Sequence, residues 1–426
     1  MPLFTRAKED GPAEATVTEP TYLPGAPDVG ESGVRGIDGH RDYLRSNVAP
    51  LRPFGIGLLD AAELTLCESI TSDIDLPTFT SATVEGWAVR ASNLVGASDF
   101  RPVVLPVVDE IAAGGFRGAP LTPGTAVRVE AGAPIPEGAD AVVALADGVV
   151  LGEDVRFIGE ATFQQNLEMI GSRISDGDAL LSSGTKLTPR SLALLAEVGH
   201  DKVLARPRPR VVVLTAALDL VEPGVPLTKL HQRYDSGTVL LAASARTDSA
   251  QVFPTGVVDP EPKALERALS EQLVRADLVL LLAEPTDELV RLLGDIGAVD
   301  SASVDGLADR QVFALIGDER TPVLVLPTEP VAAYLTYLLF GRPLLQKLAG
   351  AEAYVPTEVT APVTTDIAAD PQHTRLLLAR HTSRGITPLP VPSPGAAELA
   401  DANAVIIVPA GDPIPAHGDV SCWLLY

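Results

Sequence analysis

The residues best placed for chemistry in this chain lie where apolar runs end. Val211 to Leu214 is an unbroken β-branched and leucine run, and it exits through Thr215, Ala216, Ala217, Leu218 and Asp219. Such a run suits a strand buried on both faces. In an open α/β sheet, ligands bind beyond the carboxyl ends of the strands. A second run, Leu278 to Leu282, exits into Ala283, Glu284, Pro285, Thr286, Asp287 and Glu288. Carboxylates at such exits can hold Mg²⁺, which prefers oxygen ligands. Thiolate or imidazole metal chemistry is not indicated, because Cys67 and Cys422 have no Cys or His beside them at ligand spacing. His200 follows Gly199 at a helix end, and His231 and Arg233 fall in a loop. Ordinary helix-end and loop roles account for all three.

Elements of alternating type must position these exits. Pro207 and Pro209 mark the entry to the first strand, and Pro223 with Gly224 marks a turn after it. Helical patterns follow over 236–245 and 262–274, and strands over 251–253, 278–282, 312–316 and 323–326. Pro330 opens a long apolar helix to about Leu348, with Tyr334, Tyr337, Leu338 and Phe340 as its core face. This alternation predicts a parallel sheet covered by helices. Upstream, 36–71 reads as helical on both sides of a Pro-Phe-Gly break. Short strands at 103–108, 126–129 and 141–145 between Gly/Pro turns predict a small all-β module. Thr188 caps a helix that Pro189 opens and Gly199 stops. After 351, strands at 376–379, 404–408 and 422–425 predict a second small β domain. The domain reading is a disordered tail over 1–35 and a helical linker domain from 36–77 with 163–203. A β domain over 78–162, an α/β domain over 204–350 and a C-terminal β domain over 351–426 complete it.

Composition narrows the function classes. The chain has 426 residues, 46% of them hydrophobic, and a formal net charge of −24. A surface this acidic disfavours nucleic acid and anionic membranes as partners. The two distant cysteines fit a reducing compartment, and neither a membrane-spanning run nor a leader pattern is found. The expectation is a soluble, cytoplasmic protein.

Several motifs then coincide in order. Ser81-Ala-Thr-Val-Glu85-Gly-Trp87-Ala-Val-Arg90 is similar to the S-A-M-D-G-Y-A-V-R of one family. Gly132-Ala-Pro-Ile-Pro-Glu-Gly-Ala-Asp-Ala-Val-Val143 matches its G-A-P-x-P-x-G-A-D-A-V-V. Leu180 to Thr188 matches the segment before a helix, and Tyr234-Asp235-Ser236 fits its Y-D-S-N. Over nearly everything after residue 36 the chain resembles the MoeA/gephyrin E-domain family, the molybdopterin molybdenumtransferases. The resemblance implies an α/β plus β fold. The expected subunit is elongated and multidomain, with a molybdopterin-binding-like parallel-sheet domain and small β domains, and it pairs into a homodimer.

The resemblance also assigns site positions. It implies residual catalytic roles for Glu85, Asp219 and Asp259, and cofactor contacts from Thr215, Tyr234, Asp235 and Ser236. Asp219, Asp235 and Asp259 are the candidate metal ligands. The family's S-T-G-D-E-L stands here as Thr215 to Leu220, with Ala217 for the glycine and Leu218 for the leading acid. Its glycine-rich S-G-G loop is replaced by 283–288, and its L-P-G-N-P is Leu326-Pro-Thr328-Glu329-Pro330. Both lysines of its K-P-G-K-P are absent near 306–310, where Asp309 stands. Binding a pterin phosphate and molybdate needs backbone N–H donors, glycines and cations, and these replacements all run the other way. Trp87, at a family tyrosine, reads as packing.

A gephyrin-like scaffold that has lost its enzyme and kept its dimer is therefore expected. No cofactor is expected, with Mg²⁺, molybdate and molybdopterin reserved for the case in which the family activity survives. The resemblance to bacterial gephyrin-like proteins implies a role in cell division. The partner would be a C-terminal tail peptide, with that of FtsZ the named candidate and a membrane receptor a further one. The groove would lie in the α/β and C-terminal domains, and the protein would be recruited to the division site. The alternative is an active molybdenumtransferase inserting molybdate into molybdopterin, and a third reading is a non-catalytic partner of an active paralogue.

Overall fold

The computed structural model describes residues 20–29, 33–351, 356–389 and 395–425. The chain divides into two compact units. The first comprises 1–54, 63–65 and 206–426, and the second comprises 55–62 and 66–205.

The first unit is built on a six-stranded sheet. Its strands are β1 (Arg210–Ala216), β2 (Gln251–Val258), β3 (Leu278–Leu282), β4 (Gly297–Ala302), β5 (Gln311–Ile316) and β6 (Thr321–Leu326). Their order is β2-β1-β3-β6-β5-β4. The first four in that order run parallel, but β5 is antiparallel to both β6 and β4. The expected parallel sheet is thus mixed. The cause is the short turn from Ile316 to Thr321, which leaves no room for the crossover that a parallel pair requires. Val211 to Leu214, Leu278 to Leu281 and Val312 to Ile316 are buried almost completely. This two-sided burial is why they read as continuous apolar runs.

Helices cover both faces: α1 (Ile37–Ser46), α2 (Ser236–Thr247), α3 (Pro262–Leu273), α4 (Asp287–Asp295), α5 (Pro330–Thr336) and α6 (Arg342–Ala349). Tyr337–Gly341 between the last two is a π-helical turn, so the long late helix runs unbroken from 330 to 349. On one face Tyr43 and Leu44 of α1 share a core with Val211, Val213, Leu280, Phe313, Tyr337 and Phe340. The sequence grouping of 36–77 put α1 with the helical linker segments; in the structure it packs on the α/β core. Residues 58–66, read as helical, form turns and an isolated bridge from Leu66 to Ala205. Pro53 and the glycines at 55 and 57 disfavour a helix there, and Phe54–Gly57 is a short strand.

The tail expectation needs its own correction. Residues 1–19 and 30–32 lie outside the described residues, but 20–29 and 33–35 are described. Leu23 is buried, and its N–H donates to Val299 O. Arg35 is buried and donates to both carboxylate oxygens of Asp300, at 2.7 and 2.9 Å. A segment poor in apolar groups is ordered here by backbone pairing and one long-range ion pair.

A five-stranded antiparallel sheet completes the first unit, ordered Glu358–Pro362, Asp419–Leu424, Ala404–Val408, Arg375–Thr382 and Gly385–Pro388. The second unit carries a six-stranded sheet ordered Ala141–Ala144, Gly86–Val89, Ala126–Val129, Val103–Ile111, Asp154–Phe157 and Gly148–Leu151. Trp87 is buried in its core beside Leu105, Val143 and Phe157. Gly86 lies so close to Val143 O that a Cβ would sit 2.0 Å away. That contact explains the motif glycine by packing. The helix Pro189–Glu197 begins with the expected Thr188 cap, which forms a reciprocal box with Ser191.

Candidate functional site

The sheet of the first unit has a switch point at β1 and β3. From β1 the chain passes through α2 to β2 on one side, whereas from β3 it moves through α4 toward β4 on the other. Crevices beyond the strand ends at such points are where α/β sheets bind ligands. A cavity of about 680 Å³ lies there. Its walls are the β1 exit (Ala216 to Asp219), the β2 exit (Asp259 to Pro262), the β3 exit (Ala283, Glu284, Thr286, Glu288) and Thr328 after β6. Leu265, Leu289 and Leu292 form its floor.

The cavity is acidic. Asp219, Asp259, Glu261, Glu284 and Glu288 line it, against one cation, Arg233. Arg233 is already engaged. Its Nε donates to Asp219 Oδ2 at 2.9 Å and its Nη2 to Thr328 Oγ1 at 3.3 Å, while Thr328 donates onward to Glu284 Oε1 at 2.8 Å. The ribbon of Leu220–Val221 with Arg233–Tyr234 holds this arginine over the β1 exit. Nearby, Arg310 is bound to Asp287 Oδ1 at 2.7 Å and to the Pro285 carbonyl, and it holds the Asp287 carboxyl below the usual range. Asp309 is shifted the other way, pushed up by burial and then by the charges of Glu284 and Glu329. The strand exits thus carry a negative potential that the cations present do not neutralise.

The expected site residues separate. Asp219 and Asp259 line the cavity. Asp259 also accepts the Glu261 N–H at 2.9 Å, and Glu261 in turn caps α3. Asp235 is buried and caps α2: Oδ1 accepts the Thr238 N–H and Oδ2 the Thr238 hydroxyl. With that hydroxyl proton spent on Asp235, Thr215 must donate to Thr238 across 2.7 Å. Thr215 is buried within β1. Tyr234 is half exposed on the ribbon. Ser236 opens on a different groove of about 330 Å³, with Leu240, Pro330, Tyr334 and Leu399. Glu85 belongs to the second unit, where it is ion-paired to Arg128 at 2.8 Å. Among the described residues, no group of three or more His, Cys, Asp or Glu could hold a metal ion. The expected set of Asp219, Asp235 and Asp259 does not assemble: Asp235 caps α2 and is not among the residues lining the cavity with Asp219 and Asp259.

Sequence reasoning weighed Arg233 only as a loop residue and counted Thr328 only as a lost glycine. Their link to Glu284 joins residues up to 95 apart, a separation that no local pattern reports. The Glu261-Pro262 start of α3 was readable, since proline favours the first helical position.

Comparisons with known proteins agree with this architecture. Residues 36–199 match the family model for the MoeA N-terminal region, domains I and II. The chain is 30% identical over 417 residues to the molybdopterin molybdenumtransferase 1 of Mycobacterium tuberculosis, covering 89% of this chain and 96% of that one. It is 29% identical to the molybdopterin molybdenumtransferase 2 of the same organism, covering 88% of this chain and 96% of that one. The crystal structure of the molybdopterin biosynthesis MoeA protein from Pyrococcus horikosii superposes with a TM-score of 0.82 at 23% identity, covering 92% of this chain and 99% of that one. That likeness establishes the fold. The sequence relatives establish more: this chain belongs to the MoeA family of molybdopterin molybdenumtransferase homologues.

Proposed function

We propose that this chain is a MoeA-family protein that no longer transfers molybdate to molybdopterin and acts instead as a dimeric, gephyrin-like scaffold. The observation that carries this reading is the charge of the strand-exit cavity. Five carboxylates face one arginine, and that arginine is paired to one of the five. Molybdate and the pterin phosphate are both anions. A carboxylate ~4 Å from such an anion opposes it by roughly 4 kcal/mol at the effective dielectric of a surface pair. Solvent exposure lowers that figure, but among the described residues the walls carry no cation besides the paired Arg233 to offset it. The β1 exit also offers Ala217 and Leu218 where close backbone approach to an anion would favour glycine.

The scaffold reading assigns the partner as a protein tail peptide, with the FtsZ tail as the first candidate and recruitment to the division site as its consequence. The groove lined by Leu240, Tyr334, Leu399 and Leu425, with Ser236 and Ser244 as its polar groups, is largely apolar and is the surface this reading assigns to the peptide. Titrating one sample in parallel with molybdopterin, molybdate and an FtsZ tail peptide tests both halves. Micromolar peptide binding with no pterin binding is expected. Saturable molybdopterin binding would overturn the loss of catalysis, and a peptide that fails to bind would remove the named partner.

A second reading is favoured by the relatives, whose printed names carry the transferase activity over nearly the whole chain. In it, Asp219 and Asp259, which line the cavity, carry the insertion of molybdate, with Mg²⁺ as the metal they would hold. Complementation of a strain lacking its own molybdenumtransferase would establish this reading. Failure with folded protein would exclude it.

A further inference from the structure

The segment before α1 adds a strand to the sheet. β4 is the outermost strand of the six, and its outer edge is filled by residues 21–23. Val299 donates its N–H to Thr21 O at 2.8 Å and accepts the Leu23 N–H on its own carbonyl at 2.8 Å, giving a parallel bridge from Tyr22 to Val299. Leu23 enters the same core as Tyr43, Leu44 and Val304, while Tyr22 points outward and is 60% exposed. The Tyr43 hydroxyl donates to the Pro24 carbonyl at 3.2 Å. Pro20 lies flat on α4, where Gly294 leaves it room: a Cβ at 294 would come within 2.4 Å of the Pro20 Cβ. Backbone pairing, one apolar anchor and a steric gate against side chains on α4 are the parts of a strand-addition peptide site.

A second, stronger anchor lies downstream. The Arg35 N–H donates to Ser303 O and its carbonyl accepts from Asp305, each at 2.9 Å, while its guanidinium grips Asp300. This junction holds the chain to the sheet whether or not residues 20–24 are docked. The docked stretch has two ladder bonds, a longer bond from Thr21 N–H to Gly294 O at 3.4 Å, the Tyr43 hydroxyl contact and one buried side chain to offset the ordering of its backbone. The family-model match begins at residue 36, so the docked stretch lies outside the matched region.

We propose that the β4 edge is a docking site for an extended Pro-x-x-Leu-Pro peptide, occupied in cis by Pro20 to Pro24, which act as a releasable internal ligand. Release leaves Val299 with an unpaired outward N–H and C=O and opens the Leu23 cavity to the same segment of a second copy. The probe is a labelled peptide spanning Pro20 to Val29, added to the full chain and to its Leu23→Asp variant. In the variant, Val299 amide exchange is expected to accelerate at least about tenfold. The peptide should bind the variant at least about tenfold tighter than it binds the wild type, and a peptide carrying the same Leu→Asp change should not bind. Gly294→Ala gives an independent arm. Gly294 lies in the last turn of α4, and the atoms nearest a Cβ there belong to Pro20 and Thr21, so faster Val299 exchange in that variant reports displacement of the segment. Equal peptide binding by wild type and Leu23→Asp, or unchanged Val299 exchange in Gly294→Ala, overturns the proposal.

Discussion

Replacing Asp300 with alanine should destabilise the first unit far more than any surface ion-pair change. Arg35 meets Asp300 in a bidentate contact of 2.7 and 2.9 Å, with side chains only 8% and 5% exposed. A guanidinium cannot shed its proton, so Asp300→Ala leaves a buried, uncompensated cation. Breaking a buried pair from one side costs about 3–5 kcal/mol. His40 Nδ1, 3.3 Å from Arg35 Nη1, and the Tyr43 ring, 5.7 Å from its guanidinium carbon, soften the loss. That places the expected value near the lower end, about 3 kcal/mol. At roughly 2–4 °C per kcal/mol for a large domain, the first unit's transition in differential scanning calorimetry should fall by roughly 6–12 °C. The double variant Arg35→Met with Asp300→Leu should recover most of this, because a packed apolar pair of similar volume is about neutral. A fall of under about 2 °C for Asp300→Ala would refute the buried-pair reasoning, since that is the scale of an exposed pair.

Other outcomes follow from the same contacts. Burial, opposed by Asp300 and reinforced by Arg35, lowers the His40 pKa from 6.5 to about 4. The unfolded chain therefore takes up this proton first, so stability is full above about pH 6.5 and falls by about 3 kcal/mol as pH drops to about 4; denaturant melts across that range should flatten in His40→Gln. Asp235→Ala should cost about 1–2 kcal/mol through the lost cap of α2, with Asp235→Asn retaining most of the stability because an amide oxygen can still cap. Thr188→Ala should cost about 1 kcal/mol and move only the second unit's transition, since its box with Ser191 starts the helix there.

Much of the fold was legible because local signals coincided with long-range ones. Two-sided burial made the strands of the first unit readable as apolar runs, and Thr188 with Pro189 announced a helix that the structure contains. The antiparallel β5 was not legible, because Val312 to Ile316 is buried on both faces whichever way it runs. The order of residues 20–35 was invisible for a different reason: Arg35 finds Asp300 at a separation of 265 residues. At the candidate site, family motifs pointed to Asp219 and Asp259, which do line the cavity. They also pointed to Asp235, which instead caps a helix away from the cavity lining. A motif records which residue stands at a position and is silent on which of its atoms remain free.

The discontinuity of the first unit also has a meaning for how the chain is made. The whole of the second unit lies within residues 55–205, so it is present once residue 205 has left the ribosome and can close its own cores. Leu23 and Arg35 are made before the second unit, yet their partners Val299, Asp300 and Asp305 are made roughly 100 residues after residue 205. At roughly 5–20 residues per second, Leu23 and Arg35 wait roughly 5–20 seconds after residue 205 is made before their binding edge exists. During that interval the N-terminal stretch is open to chaperones and to the same edge of an already completed copy. On polysomes, where finished and unfinished chains are close together, the order of synthesis thus favours pairing between neighbours.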